Sequence, residues 1–136
     1  MHDTHMQIGE VAARTELSLR TIRHYEDVGL VTPSARSQGG FRLYTDGDVR
    51  RLMVIRRMKP LGFTLEQMRD LLQVTDRLDA AEPPTDEERA QLAARLTEFE
   101  EATAKRAAEL RVQLARAEEF AETLRARAAR AAAQGR

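Results

Sequence analysis

The sequence predicts a mainly α-helical fold: a winged helix-turn-helix head of four helices and a two-stranded wing, followed by one long C-terminal helix. Residues 6–63 contain two short helical segments joined by a tight turn, then a Gly-Gly hairpin and a basic helix, which is the order of such a head. Residues 86–131 contain no Gly or Pro and repeat large apolar residues at nearly regular intervals. The apolar fraction of 42% in 136 residues suits one modest core.

The first two helices are short and closely connected. Apolar spacing predicts the first helix over Ile8 to Arg14. Ser18 is a typical N-cap and Gly29 a typical C-terminal stop, so the second helix is predicted over Ser18 to Val28. On a helical wheel Leu19 and Ile22 point to one side, and the other side and its flanks carry hydrogen-bonding side chains: Arg20, Thr21, Arg23, His24 and Tyr25.

A hairpin follows the second helix. Residues 35–37 and 41–44 are predicted to pair as two short strands around Gln38-Gly39-Gly40. Because a two-stranded ribbon is marginal alone, we expect it to lean on the helices through Leu43 or Phe41 and to leave Arg42 at its surface.

Two capping boxes mark the starts of the third and fourth helices. Thr45 with Asp48 opens the third, which Pro60 should bend or end. After a stop at Gly62, Thr64 with Gln67 opens the fourth, which is predicted to close near Val74. We therefore interpret residues 1–75 as the head.

The remaining chain is interpreted as a linker, a helix and a tail. Residues 76–85 contain Pro83-Pro84 and little periodicity, which predicts a linker. Residues 86–131 are predicted to form one helix, roughly 69 Å long at about 1.5 Å per residue, and residues 132–136 a disordered tail.

The long helix has an apolar stripe whose spacing alternates between four and three residues, with a stutter between Thr103 and Ala107. A solvated single helix is the alternative, because Ala-rich and charge-rich sequences form helices readily. The heptad spacing favours a homodimer seam, for which we expect these residues: Leu92, Leu96, Phe99, Leu110, Leu114, Ala117 and Leu124.

Charge and cysteine content limit the function classes. The net charge is zero, but residues 1–75 hold eleven Arg and Lys against nine Asp and Glu, and most of these cations fall in the segment that would face a nucleic acid. With no Cys we expect neither a disulfide nor a thiolate metal site. No apolar stretch suggests a membrane span or a secretory signal, so a cytoplasmic location is expected.

The sequence predicts no catalytic residues, cofactor or metal site. No nucleophile-base pair, metal-ligand set or phosphate loop is recognisable, so an enzyme is the least favoured class. His2 and His5 are too few to complete a metal site and are interpreted as an N-terminal extension.

Residues 6–75 resemble the MerR family of bacterial transcription regulators through the motifs IGEVA, LSLRTIRHYEDVGLV, GGFRLYTDGDVRRL and MKPLGFTLEQM. The resemblance implies that the second helix reads DNA, that the wing grips its backbone, and that the long helix pairs antiparallel with its twin as a coiled coil. His24 departs from the Tyr common in the family, which would make a phosphate contact there pH-sensitive. The expected DNA contacts are Ser18, Arg20, Thr21, Arg23, His24, Tyr25, Arg36, Arg42, Tyr44, Arg57 and Lys59.

The resemblance also implies a mechanism. A homodimer would bind a near-palindromic operator in an overlong promoter spacer and distort the DNA, so that RNA polymerase is affected indirectly. The family's sensors usually follow the long helix, so any small-molecule effector, whose identity the sequence does not give, would here bind the linker, the heads or the seam. The alternatives are a coiled-coil adaptor protein, which the zero net charge favours, and an architectural DNA-binding protein without a promoter-specific switch.

Overall fold

The computed structural model describes residues 5–135, so His2 lies outside the described residues. It divides into two compact units, of which one ends at Leu96 and the other begins at Thr97. None of the helices in the described residues is long and apolar enough to cross a membrane. The elements are β1 (Met6–Gln7), α1 (Ile8–Thr15), α2 (Leu19–Asp27), β2 (Ala35–Arg36), β3 (Arg42–Tyr44), α3 (Asp46–Met58), a 3-10 helix (Lys59–Leu61), α4 (Leu65–Leu78) and α5 (Asp86–Gln134).

The turn between α1 and α2 is fixed by hydrogen bonds. The buried Thr15 hydroxyl donates to the Val11 carbonyl and accepts from the Leu17 backbone N–H. Glu16 adopts the left-handed conformation, with φ 58°, and ends α1. The predicted pair of short helices with a tight turn is therefore confirmed.

The sheet has three strands, whereas the sequence predicted a two-stranded wing. Its order is β1-β3-β2, and β3 pairs with β1 through Met6 and Tyr44 as well as with β2 through Arg36 and Arg42. A two-residue strand is too short to show alternation of polar and apolar side chains, so β1 could not be recognised from the sequence. The extra strand supports a ribbon that would be marginal with two strands.

The wing is anchored by Tyr44, which the sequence had not suggested as an anchor, and of the two predicted anchors Phe41 was wrong. Tyr44 is fully buried, whereas Phe41 is 64% exposed and Leu43 is half-buried. Side chains two residues apart share one face of a strand, so Arg42 lies on the same face of β3 as Tyr44. The wing therefore turns the Arg42 face toward the helices.

Both predicted capping boxes are present. The Thr45 side chain accepts from the Asp48 backbone while the Asp48 carboxylate accepts from Thr45, and Thr64 and Gln67 make the same exchange. The third helix ends before Pro60, and Gly62, with φ 88°, separates the 3-10 helix from α4.

Helix α4 continues to Leu78, so residues 76–78 are not linker as predicted. Ion pairs hold this last turn: Arg51 Nη1 lies 2.6 Å from Asp76 Oδ1, and Arg77 Nη2 lies 2.7 Å from Glu88 Oε1. Because those partners lie on α3 and α5, local sequence propensity could not show that the helix extends this far.

The core of the head is contributed by α1 to α4, the loop after α2 and the sheet. In α2 the buried pair is Ile22 and Tyr25, and Leu19, which we placed beside Ile22, is 40% exposed. The buried apolar residues are Met6, Val11, Ile22, Tyr25, Leu30, Val31, Tyr44, Leu52, Ile55, Met58, Met68, Leu72 and Val74.

Helix α5 begins after Thr85, whose hydroxyl accepts from the Glu88 backbone N–H. It continues to Gln134, so the predicted disordered tail is wrong for residues 132–134, where two Ala and one Gln favour the helix. Leu92, Leu96 and Phe99 are half-buried, whereas three further predicted seam positions are exposed large hydrophobic side chains: Leu110, Leu114 and Leu124.

Candidate nucleic-acid interface

Helix α2 presents a stripe of exposed polar side chains. Arg20, Arg23, His24 and Asp27 follow the i, i+3, i+4, i+7 spacing of one helical face, and all four are exposed. Because the opposite face packs Ile22 and Tyr25 into the core, the orientation of this stripe is fixed. The stripe can offer guanidinium and imidazole donors to base edges or phosphates.

The start of α2 is held by two hydroxyl groups. Ser18 Oγ accepts from the Thr21 backbone N–H at 3.0 Å and donates to Thr21 Oγ1 at 2.8 Å. The Ser18 hydroxyl therefore fixes the helix start, and the Thr21 hydroxyl keeps its own proton for an outside acceptor.

The structure corrects two of the predicted DNA contacts. Tyr25 and Tyr44 are both buried, with relative exposures of 2% and 0%. The helical wheel had placed Tyr25 at a flank of the polar face and the resemblance had implied Tyr44 as a contact, but both side chains belong to the buried core of the head. Neither side chain is available to DNA in this structure.

The two wing arginines differ in their surroundings. Arg36 is exposed, and its Nη1 donates to the Gly40 carbonyl at 3.2 Å across the hairpin. Arg42 is 39% exposed, and its Nε lies 3.0 Å from Glu26 Oε2. The wing therefore carries cations at its surface, one of which is tied to α2.

Glu26 is a site residue that the sequence interpretation missed. Its side chain is 8% exposed, and burial raises the pKa of its carboxyl group, while the nearby Arg42 works in the opposite direction. Glu26 lies four residues after Ile22 and so falls next to the buried face of α2 on a helical wheel, and this spacing is the signal that could have found it. No sequence rule identified Arg42 as its partner.

Helix α3 carries two pairs of adjacent arginines, Arg50-Arg51 and Arg56-Arg57, and the two members of each pair differ in their contacts. Arg51 donates to the Leu30 carbonyl and pairs with Asp76, and Arg56 pairs with Glu16 in the turn before α2. Among the described residues, Arg50 and Arg57 have no ion pair and both are exposed. Arg57 was a predicted contact, and Arg50 is an additional candidate.

Lys59 lies in the 3-10 helix next to the end of α3 and is exposed. It makes no ion pair within residues 5–135, so its ammonium group is available to a phosphate.

The part of the chain that the structure describes contains no group of three or more His, Cys, Asp or Glu residues able to hold a metal ion. The absence of a metal site from the whole chain stays a prediction.

Two family models match the chain. The model described as MerR HTH family regulatory protein matches residues 6–75, and that described as MerR, DNA binding matches residues 49–130. Each covers more than half of the 136 residues. The chain belongs to the MerR family of helix-turn-helix regulatory proteins.

Individual relatives agree with this membership. HTH-type transcriptional regulator ZntR of Escherichia coli (strain K12) is 40% identical over 94 residues, which are 69% of this chain and 65% of that protein. The match therefore spans slightly less than two thirds of that relative.

Two solved structures share the fold. The chain is similar to HiNmlR, a MerR family regulator lacking the sensor domain and bound to promoter DNA, with a TM-score of 0.65, 21% identity and coverage of 88% of this chain and 80% of that one. It is also similar to PbrR691 from Ralstonia metallidurans CH34 in complex with lead(II), with a TM-score of 0.51, 32% identity and coverage of 80% and 82%. The predicted mainly helical fold with a winged head is confirmed.

Proposed function

We propose that this protein is a homodimeric transcription regulator that binds double-stranded promoter DNA through α2 and the wing. The observation that carries the proposal is the exposed stripe of Arg20, Arg23 and His24 on a helix whose start is capped by Ser18 and whose opposite face is buried. A rigid helix with donors on its outer face suits the major groove.

The side chains divide into two roles. Arg20, Arg23 and His24 would approach base edges, with Thr21 at the flank. Four cations outside α2 would contact phosphates, which position the protein without reading sequence: the exposed Arg36, Arg57 and Lys59, and the half-buried Arg42. Because the chain has no net charge, we expect modest affinity for random DNA and a need for two heads on one site.

A second copy would supply the other head through α5. Leu110, Leu114 and Leu124 are large, exposed apolar side chains with heptad-like spacing, and a partner helix would remove them from water. Antiparallel pairing would hold two heads at a fixed separation, which predicts a near-palindromic operator with two half-sites.

The effect on transcription would act through the DNA. By analogy with the family, the operator would lie in an overlong promoter spacer, and the dimer would distort it so that RNA polymerase can engage both promoter elements. A cytoplasmic location follows from this function. No thiolate-bound metal is proposed as an effector, because the 136 residues contain no Cys.

The test is a genome-wide map of bound DNA, followed by footprinting of the strongest site. We expect one near-palindrome inside a promoter spacer, with strand distortion near its centre. An R20A/R23A/H24A variant that keeps its helical content serves as the matched control and should lose the footprint. Diffuse occupancy that the variant shares with the natural chain would favour an architectural role, and no occupancy would favour the adaptor alternative.

A further inference from the structure

Glu26 is a buried acid with only one of its carboxylate oxygens paired, an arrangement that does not stabilise the fold. It stands in the last turn of α2, and its side chain is 8% exposed. Its Oε2 lies 3.0 Å from Arg42 Nε, whereas its Oε1 is buried and has no hydrogen-bond partner among the described residues. A buried carboxylate with only one oxygen paired is costly, so a neutral side chain at this position would be the more stabilising choice.

The surroundings of Glu26 join the recognition helix to both strands of the hairpin. Arg42 on β3, Arg36 on β2 and Arg23 on α2 all act on its charge, and each favours the ionised form. Burial and the neighbouring Asp27 act against ionisation. Three arginines of the candidate interface therefore act electrostatically on Glu26, and Arg42 is the one paired with it.

Glu26 cannot itself be a DNA contact. With 8% of its side chain exposed it does not reach a groove, and a carboxylate would repel a phosphate. Its influence on DNA must pass through a neighbouring cation. Arg42 fits this role because it is paired to Glu26 and yet is 39% exposed.

We propose that Glu26 is a positioning residue for DNA binding, which holds Arg42 by its Nε against α2 and so presents the terminal nitrogens of Arg42 to a DNA phosphate. The proposal rests on the DNA-binding function proposed above. A guanidinium has five N–H groups, and engaging Nε leaves four on the terminal nitrogens. An arginine ordered before binding also loses less conformational freedom when the phosphate arrives.

The experiment is a double-mutant cycle on the footprinted operator, with affinities measured between about 50 and 200 mM salt. R42A and E26A should each lower affinity by roughly tenfold, the scale of one charge-assisted contact. Each should also reduce the magnitude of the salt slope by about 1. The E26A/R42A double variant should be no weaker than R42A alone, because Glu26 acts only through Arg42.

Two further variants separate positioning from charge. E26Q keeps an oxygen that can accept from Arg42 Nε, so it should retain the natural affinity and salt slope. Glu66 is the control, because it is an exposed glutamate at the start of α4, outside the candidate interface. E66A removes the same charge without touching Arg42 and should leave the affinity and the salt slope unchanged.

Several results would overturn the proposal. One such result is a loss of operator affinity in E26A that adds fully to the loss in R42A. Another is an E26A variant that binds the operator as tightly as the natural chain does, while R42A binds it weakly. If the natural chain binds no operator at all, the proposed function itself fails. Should E26A not fold, the Arg42 Nε–H resonance of the natural chain decides: it should stay protected in the DNA complex, and its loss there contradicts positioning.

Discussion

Tyr44 shows how one side chain can be misread from its sequence context. The residue follows Arg42 in the wing, where family resemblance suggested a contact with the DNA backbone. In the structure its ring is fully buried, and its hydroxyl is buried with no hydrogen-bond partner among the described residues. The ring stabilises the head by apolar burial, while the hydroxyl contributes little or works against it.

We therefore expect Y44F to bind the operator as the natural chain does, and to have an equal or higher free energy of unfolding. Removing an unpaired buried hydroxyl relieves a desolvation cost of about 1–3 kcal/mol at most. Urea titration and operator binding measure the two quantities. Y44A, which creates a cavity, is the destabilising control, at a cost of about 3–5 kcal/mol. Weaker operator binding by a stably folded Y44F would restore Tyr44 as a DNA contact.

Glu26 predicts a pH dependence of stability. Burial is the main reason that its pKa is raised in the folded head above the ordinary value of 4.5. An acid whose folded pKa is raised favours the folded state below the ordinary pKa, and this advantage is lost as pH rises through the folded pKa. E26Q never ionises, so E26Q should be more stable than the natural chain at pH 7, and the difference should shrink toward zero near pH 3. Unfolding at several pH values measures it, and a difference that grows on acidification would contradict the shift.

Replacing Arg23 and replacing Lys59 should change DNA binding in different ways. R23A removes a donor from the outer face of α2 and should relax sequence preference at one operator position, at a cost of about 1–3 kcal/mol. K59A removes a cation beyond α3, so it should weaken binding to all DNA sequences alike and lower the salt slope by about 1. Binding to operator and scrambled duplexes over a salt series separates the two. Identical behaviour of the two variants would show that Arg23 does not read bases.

Among the secondary-structure elements, the helix N-termini were the features that the sequence predicted best. Ser18, Thr45 and Thr64 each cap the helix that the sequence assigned to them. A cap depends on residues three positions apart, so its signal is local. The third strand and the last turn of α4 depend on partners far along the chain, and both were missed.

The capping box of α4 gives a stability prediction. T64A removes the acceptor for the Gln67 backbone N–H and should lower the free energy of unfolding by about 1 kcal/mol. Thr123 is a matched control within a helix, where its hydroxyl donates to the Glu119 carbonyl. T123A should be neutral or slightly stabilising, because Ala has the higher helix propensity. Thermal unfolding compares the two, and equal effects would show that the box adds nothing.

At the scale of the whole molecule, α5 leaves apolar side chains uncovered in a single chain. Leu114 is 60% exposed, and Leu110 and Leu124 are exposed on the same stripe. Val112 is also exposed, at 49%, but two residues along a helix turn it by about 200° from Leu114. Val112 therefore serves as an internal control for a substitution at the predicted seam residue Leu114.

We expect L114E to dissociate the dimer, because a carboxylate would be buried between apolar helices. V112E, with the same change on the opposite face, should remain dimeric. Sedimentation equilibrium measures the association state, and operator affinity should fall with L114E alone, since two half-sites need two heads. Dissociation by V112E with an intact L114E dimer would place the seam on the other face.

The order of the helices, their caps, the hairpin and the long helix with its apolar stripe could be predicted from the sequence, because these features depend on residues within about one helical turn. The sequence also separated the polar face of α2 from its core face except at two positions, because Leu19 is exposed and Tyr25 is buried. The sequence did not predict that Tyr44 anchors the wing or that β1 completes the sheet. Nor did it predict that Arg51 and Arg56 form ion pairs, whereas Arg50 and Arg57 have none among the described residues. Only the tertiary structure paired Glu26 with Arg42. Those outcomes depend on which distant residues meet in space, and a side chain's burial and its charge partner are fixed only when they meet.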